Sequence, residues 1–81
     1  MASYNGHRSW NAWNVALWIG NDEPLYRLAK DCLDATKKAD QKPRLVAATK
    51  RFLGFIGEGS KTPDGATYNF KCVREALAGL E

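Results

Sequence analysis

Ser-Trp-Asn-Ala-Trp-Asn-Val-Ala-Leu-Trp-Ile-Gly-Asn-Asp-Glu-Pro-Leu-Tyr, residues 9–26, is the stretch that decides the fold. It contains all three tryptophans of the chain, Trp10, Trp13 and Trp18. Because aromatic side chains of this size dominate core energetics, we expect the cluster to pack in the core. Ser9 is a favourable N-cap and Gly20 a favourable C-cap. Apolar residues cover most of the surface between them, which predicts a central first helix over residues 9–20.

Three further helices follow from caps and from apolar residues at helical spacing. A start signal at Asn21–Pro24 and a stripe from Leu25 to Leu33 predict a helix over residues 22–38. Pro43 at a first turn and Gly57 at a C-cap bound a third helix, and Asn69 caps a fourth. The sequence therefore predicts an all-α, compact four-helix domain with helices at 9–20, 22–38, 43–56 and 69–80.

The segment between the last two predicted helices, residues 57–68, is expected to form an ordered loop. Its sequence Thr62-Pro63-Asp64-Gly65 is a strong β-turn signal, since proline presets one backbone angle and glycine tolerates a positive φ. The flanking residues are weak strand formers, so at most a short hairpin is expected. With 81 residues the chain is predicted to form a single domain, residues 1–81, in which residues 1–8 are a polar N-terminal arm.

Composition excludes several classes of protein. A hydrophobic content of 44% argues against disorder, and a net charge of +3 permits nucleic-acid contact without requiring it. The longest apolar run is far short of the about 20 residues that span a bilayer, and the N-terminus lacks the apolar segment of a signal peptide. We therefore expect a soluble intracellular protein without membrane contact, in which Cys32 and Cys72 are reduced, small apolar residues.

No group of side chains has the spacing of a catalytic or metal centre. Asp22 and Glu23 are adjacent and diverge by about 100° on a helix, so they do not form an acid–base pair. His7 has no nucleophile or second ligand close to it in the sequence. We expect a non-enzymatic protein without metal or cofactor. The weakest alternative is an enzyme in which the arm folds His7 against the turn at residues 21–23.

Three asparagines, Asn11, Asn14 and Asn21, lie within or directly after the predicted first helix, and they are unusual because asparagine is a poor helix former. Asn14 lies between Trp13 and Val15 and is expected to be half-buried, where its amide needs partners. A structural hydrogen bond to a neighbouring loop, such as residues 58–68, is favoured. Recognition of a partner's backbone is the alternative.

Basic residues are concentrated around the second connection and are interrupted only by Asp40. They are Lys37, Lys38, Lys42, Arg44, Lys50 and Arg51. They are the best evidence for a nucleic-acid-binding function, in which contacts would be mainly to phosphate. The connection is longer than that of a helix-turn-helix, and no basic residue lies between Trp10 and Leu25 to support base stacking. A solvated basic surface is therefore favoured over nucleic-acid binding.

The segment from Trp13 to Tyr26, preceded by Tyr4-Asn5-Gly6, resembles a group of short uncharacterised proteins encoded by tailed bacteriophages and related mobile elements. In those proteins a Trp-Asn-Val-x-Leu-Trp-x-x-Asn-Asp-Glu core, often after a Tyr-Asn-Gly arm, opens an otherwise variable sequence. The resemblance is specific over residues 4–28. It implies a phage early or accessory protein in the host cytoplasm, and small proteins in that setting often bind one host protein. The implied function is therefore host modulation or anti-defence, with nucleic-acid binding as the alternative.

A partner-binding patch is predicted from residues that lie off the apolar stripes of the second and third helices. Its apolar members are Tyr26, Val46 and Phe55, and its basic rim is Arg27, Lys50 and Arg51. An apolar patch with a polar rim is typical of an interaction site, here for a host protein or a second copy of the chain. The rival interpretation is that the first helix and residues 57–68 cover these side chains within one monomer.

Overall fold

The computed structural model describes residues 9–81 and shows an all-α domain of four helices. The helices are α1 (Trp10–Asn21), α2 (Glu23–Lys38), α3 (Arg44–Ile56) and α4 (Phe70–Ala78). The predicted fold class is confirmed, and every predicted helix end lies within two residues of the observed one. The predicted arm at residues 1–8, which includes His7, lies outside the described residues.

Three of the four helices begin at a side-chain cap that the sequence predicts. The side-chain oxygen of Ser9 accepts a hydrogen bond from the Ala12 amide at 3.1 Å. Asp22 and Asn69 accept equivalent bonds from the amides of residues 25 and 72, at 3.2 and 2.8 Å. Each bond satisfies an amide that has no partner inside its helix, so each cap fixes where its helix begins.

Gly20 does not end α1, contrary to the prediction. The helix continues to Asn21, and the amide of Asp22 donates to the Trp18 carbonyl at 2.9 Å. Because the Asp22 side chain also caps α2, one residue in extended conformation completes the first helix and starts the second. The chain therefore turns between the helices without a glycine in left-handed conformation.

The helices are arranged in a ring in which each packs mainly on two neighbours. α1 and α3 both contact α2 and α4. The core inside the ring contains fully buried side chains from every helix, including Ile19, Cys32, Phe52 and Leu77. α1 therefore has a place equivalent to that of the other helices, and not the central position expected from its apolar sequence.

The tryptophans of α1 do not form the core, contrary to the prediction. Trp10 is 41% exposed, and Trp13 and Trp18 are half-buried. The core-facing residues of α1 are smaller, at Ala12, Val15 and Ile19. The two sets lie on different faces of the helix, and the smaller side chains face α2 and α4, so the large indoles are left toward the surface.

The cysteines agree with the sequence prediction. Cys32 and Cys72 are both free and buried. Burial raises the pKa of the Cys32 thiol, and the neighbouring positive charge of Arg51 opposes that effect.

Within residues 9–81, no helix is both long enough and apolar enough to span a bilayer.

Candidate functional site

The loop between α3 and α4 is an ordered turn with a short antiparallel pairing. The Gly65 amide donates to the Thr62 carbonyl at 2.9 Å, which closes the predicted β-turn. The Thr62 amide donates to the Ala66 carbonyl at 2.8 Å, and an isolated β-bridge joins Lys61 to Thr67. The predicted ordered loop is therefore confirmed, and the hairpin is limited to this single bridge.

Asn11 on α1 holds one side of this loop. Its amide nitrogen donates to the Thr67 carbonyl at 2.9 Å, and its oxygen accepts from the Thr67 amide at 2.7 Å. The same nitrogen lies 3.1 Å from the sulfur of Cys72. The side chain therefore satisfies both backbone groups of one loop residue, as a neighbouring strand would do.

Asn14 holds the other side of the loop. Its amide nitrogen donates to the Asp64 carboxylate at 2.9 Å, and its oxygen accepts from the Thr62 hydroxyl at 2.7 Å. That hydroxyl also accepts from the Ala66 amide at 3.0 Å. The prediction that Asn14 bonds to a neighbouring loop is confirmed, whereas Asn21 is exposed at the end of the helix.

Trp18 completes the contact between α1 and the tip of the loop. Its indole nitrogen donates to the same Asp64 oxygen at 2.9 Å. The hydrogen bonds from Asn14 and from Trp18 stabilise the charged carboxylate and lower the pKa of Asp64. This face of α1 is therefore engaged with its own loop.

The side of α1 that points away from the core residues Ala12, Val15 and Ile19 is the best candidate for a partner-binding surface. Trp10, Trp13 and Leu17 recur at steps of three and four and form what we call the outer α1 face. No charged residue occurs from Ser9 to Asn21. Exposed tryptophan on an uncharged surface is typical of the central part of a protein interface.

The patch predicted on α2 and α3 is divided by the geometry of α3. Val46 and Phe55 are nine residues apart, which is about 2.5 turns and places them on opposite flanks of the helix. Lys50 follows the flank of Val46 and lines a groove with Phe70. Arg51 follows the flank of Phe55, toward α2. The prediction of one patch that joins Val46 to Phe55 is therefore wrong.

Two aromatic members of that predicted patch are nevertheless exposed. Phe55 is 66% exposed and Tyr26 is 39% exposed, so the first helix and the loop do not cover them. Arg27, predicted to rim the patch, forms an ion pair with Glu23 one turn earlier on α2. Exposed aromatics are also common on protein surfaces that bind no partner.

The six basic residues predicted to bind nucleic acid are exposed but do not share one face. Lys37 and Arg44 line a cleft of about 230 Å³. Lys42 lies 4.0 Å from the Asp40 carboxylate. Lys50 and Arg51 are consecutive, so their side chains diverge by about 100° around α3. Lys38 does not line the cleft, although it lies next to Lys37. These side chains do not form one continuous basic track.

A metal site would require several histidine, cysteine, aspartate or glutamate side chains close together. Among residues 9–81, no three of these side chains are grouped so that they could hold a metal ion. Cys32 and Cys72 lie in the core and Asp64 bonds to α1, so each has a structural explanation.

The comparisons with known proteins give a match to a family of unknown function. No curated protein matches the chain, and no solved structure matches it. A family described as "Family of unknown function (DUF7249)" matches residues 1–77. The match includes all of α1, the loop between α3 and α4, and most of α4. The chain therefore belongs to the DUF7249 family.

Proposed function

We propose that this protein is a small, non-enzymatic accessory protein of a bacteriophage or a related mobile element, which binds and modulates a host protein. Anti-defence activity in the host cytoplasm is the form of modulation that we favour. The observation that carries the proposal is the outer α1 face, where Trp10 is 41% exposed on an uncharged helix.

The exposure of tryptophan supports a binding role because an indole in water loses the apolar contacts that it would make in a core. Tryptophan is also enriched among the residues that dominate the energy of protein interfaces. The neighbouring Trp13 and Leu17 extend the apolar surface along one side of α1. Asn11, Asn14 and Trp18 hold the loop on another face of α1. The loop therefore supports the helix that carries Trp10, Trp13 and Leu17.

The sequence supports the phage setting of the proposal. Residues 13–26, with Tyr4-Asn5-Gly6 before them, resemble short proteins of tailed bacteriophages. Trp13 and Leu17 of the outer α1 face fall in the resembling segment, as do Asn14 and Trp18, which anchor the loop. Two of the three residues of the proposed interaction surface therefore belong to the segment on which the resemblance depends.

The experiment that tests the proposal compares two exposed aromatic residues. Tagged wild-type protein, Trp10→Ser and Phe55→Ser are used to capture proteins from a bacterial host lysate. Captured proteins are then purified and their affinities measured by calorimetry. We expect Trp10→Ser to weaken binding at least about tenfold, as for loss of an interface anchor. Phe55→Ser should bind as the wild type does.

The comparison distinguishes the proposal from its rivals. Loss of binding in Phe55→Ser alone would return the interface to the predicted patch on α3. If both variants bound as tightly as the wild type, a role for either aromatic in binding would be contradicted. A hydrolytic or transfer activity of the purified domain would overturn the non-enzymatic assignment. Circular dichroism of each variant establishes that the helices are retained.

A further inference from the structure

The cleft between α2, the start of α3 and the residues after α4 brings three basic side chains together. Lys30 and Lys37 lie on one face of α2, and Arg44 is the first residue of α3. The Lys30 ammonium donates to the Leu80 carbonyl at 3.4 Å, which ties α2 to the end of α4. In residues 9–81, the side chains of Lys37 and Arg44 have no hydrogen-bond or ion-pair partner. Two cations are therefore available to a ligand.

Two carboxylates line the same cleft and restrict what it can bind. Asp34 lies on α2 between the two lysines, and Glu81 follows α4. A ligand that carries only negative charge binds more weakly than one that also carries an ammonium group, because both carboxylates repel it. Leu33 and Leu80 form apolar parts of the wall. The lining is therefore complementary to a small molecule that has an anionic group, a cationic group and a short apolar link.

We propose that this cleft binds a small zwitterionic phosphate monoester. Lys37 and Arg44 donate charge-assisted hydrogen bonds to the phosphate, because guanidinium and ammonium groups match its several acceptor oxygens. Asp34 and Glu81 accept hydrogen bonds from an ammonium group at the other end of the ligand. A volume of about 230 Å³ suits a molecule of this size.

A nucleic-acid strand fits this arrangement less well. Nonspecific binding of a strand requires a basic groove that follows its backbone over several nucleotides. Lys50 and Arg51 point to different flanks of α3, and Lys42 lies next to the Asp40 carboxylate. Lys37 and Arg44 are free cations that line one cleft, so a single phosphate group is the favoured ligand chemistry.

The test uses O-phosphoethanolamine, which has both charges, and ethyl phosphate, which lacks the ammonium group. Binding of each to the full chain is measured by calorimetry at low ionic strength. We expect saturable binding of both, with O-phosphoethanolamine the tighter ligand. Lys37→Gln and Arg44→Gln should each weaken that binding about tenfold. Lys38→Gln is the matched control, since this exposed lysine is the next residue on α2 and lies outside the cleft.

Asp34→Asn tests the second half of the proposal. It should reduce the preference for O-phosphoethanolamine over ethyl phosphate without weakening the binding of ethyl phosphate. Absence of saturable binding of either compound would overturn the proposal, and so would equal losses in Lys37→Gln and Lys38→Gln. Binding of short single-stranded DNA that Lys38→Gln and Lys50→Gln weaken as much as Lys37→Gln would identify a nucleic-acid surface instead. Thermal melting of each variant excludes unfolding as the cause.

Discussion

The indole nitrogen of Trp18 donates a hydrogen bond of 2.9 Å to the carboxylate of Asp64, 46 residues later in the chain. Asn14 donates to the same oxygen at 2.9 Å. The two bonds join the first helix to the tip of the loop that precedes the last helix. Their shared acceptor makes Asp64 a sensitive reporter of whether the loop is seated on α1.

Replacing Trp18 with phenylalanine should raise the pKa of Asp64 toward its ordinary value. The change keeps an aromatic ring but removes the indole donor that stabilises the carboxylate. Titration of the Asp64 carboxyl carbon by NMR measures the effect. Trp10→Phe, a change of the same kind on the outer α1 face, should leave that titration unchanged. A titration unaltered by Trp18→Phe would show that the indole bond is not formed in solution.

Replacing Asn14 with leucine should destabilise the protein by about 1–3 kcal/mol, because Asn14 is buried and its loss leaves polar groups of the loop without partners. Urea unfolding, followed by circular dichroism, measures the change. Asn21→Ala is the control on the same helix, and as an exposed substitution it should change stability by less than about 0.5 kcal/mol. Similar losses in both variants would contradict a special role for Asn14.

Two phenylalanines of α3 should respond very differently to truncation. Phe52 is fully buried, so Phe52→Ala should cost about 3–5 kcal/mol through lost burial and the cavity left behind. Phe55 is 66% exposed, and Phe55→Ala should change stability by less than about 0.5 kcal/mol. Thermal melting of the pair measures both effects. A large loss in Phe55→Ala would mean that this ring is covered in solution.

Acidification should remove the stabilising contribution of Asp64. Hydrogen bonds from Asn14 and Trp18 lower its pKa in the folded protein from the ordinary value of 3.8. Since the unfolded chain then takes up the proton more readily, the contribution is complete well above pH 3.8 and declines as the pH falls through the folded-state pKa. Melting temperatures of wild type and Asp64→Asn, measured from neutral to acidic pH, should converge toward the acidic end. A constant difference between them would contradict this linkage.

Local signals in the sequence were sufficient to predict where the helices begin. Ser9, Asp22 and Asn69 each accept a hydrogen bond from an amide three residues later, so the residues that define each helix start lie within one turn. The prediction that α1 ends at Gly20 was wrong because Asp22, two residues later, completes the helix. The identity of a cap residue is informative only when no better one follows it.

The orientation of α1 could not be predicted from the size of its side chains. Apolar side chains lie on more than one side of the helix, and the side that packs in the core carries the smaller ones, Ala12, Val15 and Ile19. The chemistry of the Asn14 side chain predicts that it needs hydrogen-bond partners. Which residues supply them could not be predicted, because Thr62 and Asp64 lie 48 and 50 residues away in the chain. The angle between Val46 and Phe55 was available from their spacing, and it contradicts the predicted patch.

The two hydrogen bonds between Asn11 and Thr67 have a consequence for the order of folding. α2 and α3 are joined by a short connection, so their contacts close a small loop, whereas Asn11 and Thr67 are 56 residues apart. Because closing a longer loop costs more chain entropy, we expect the α2–α3 hairpin to form before the loop is held by α1. Pulsed hydrogen exchange during refolding would then protect the amides of α2 and α3 first. The amide of Thr67, whose acceptor is a side chain of the first helix, would be among the last to become protected.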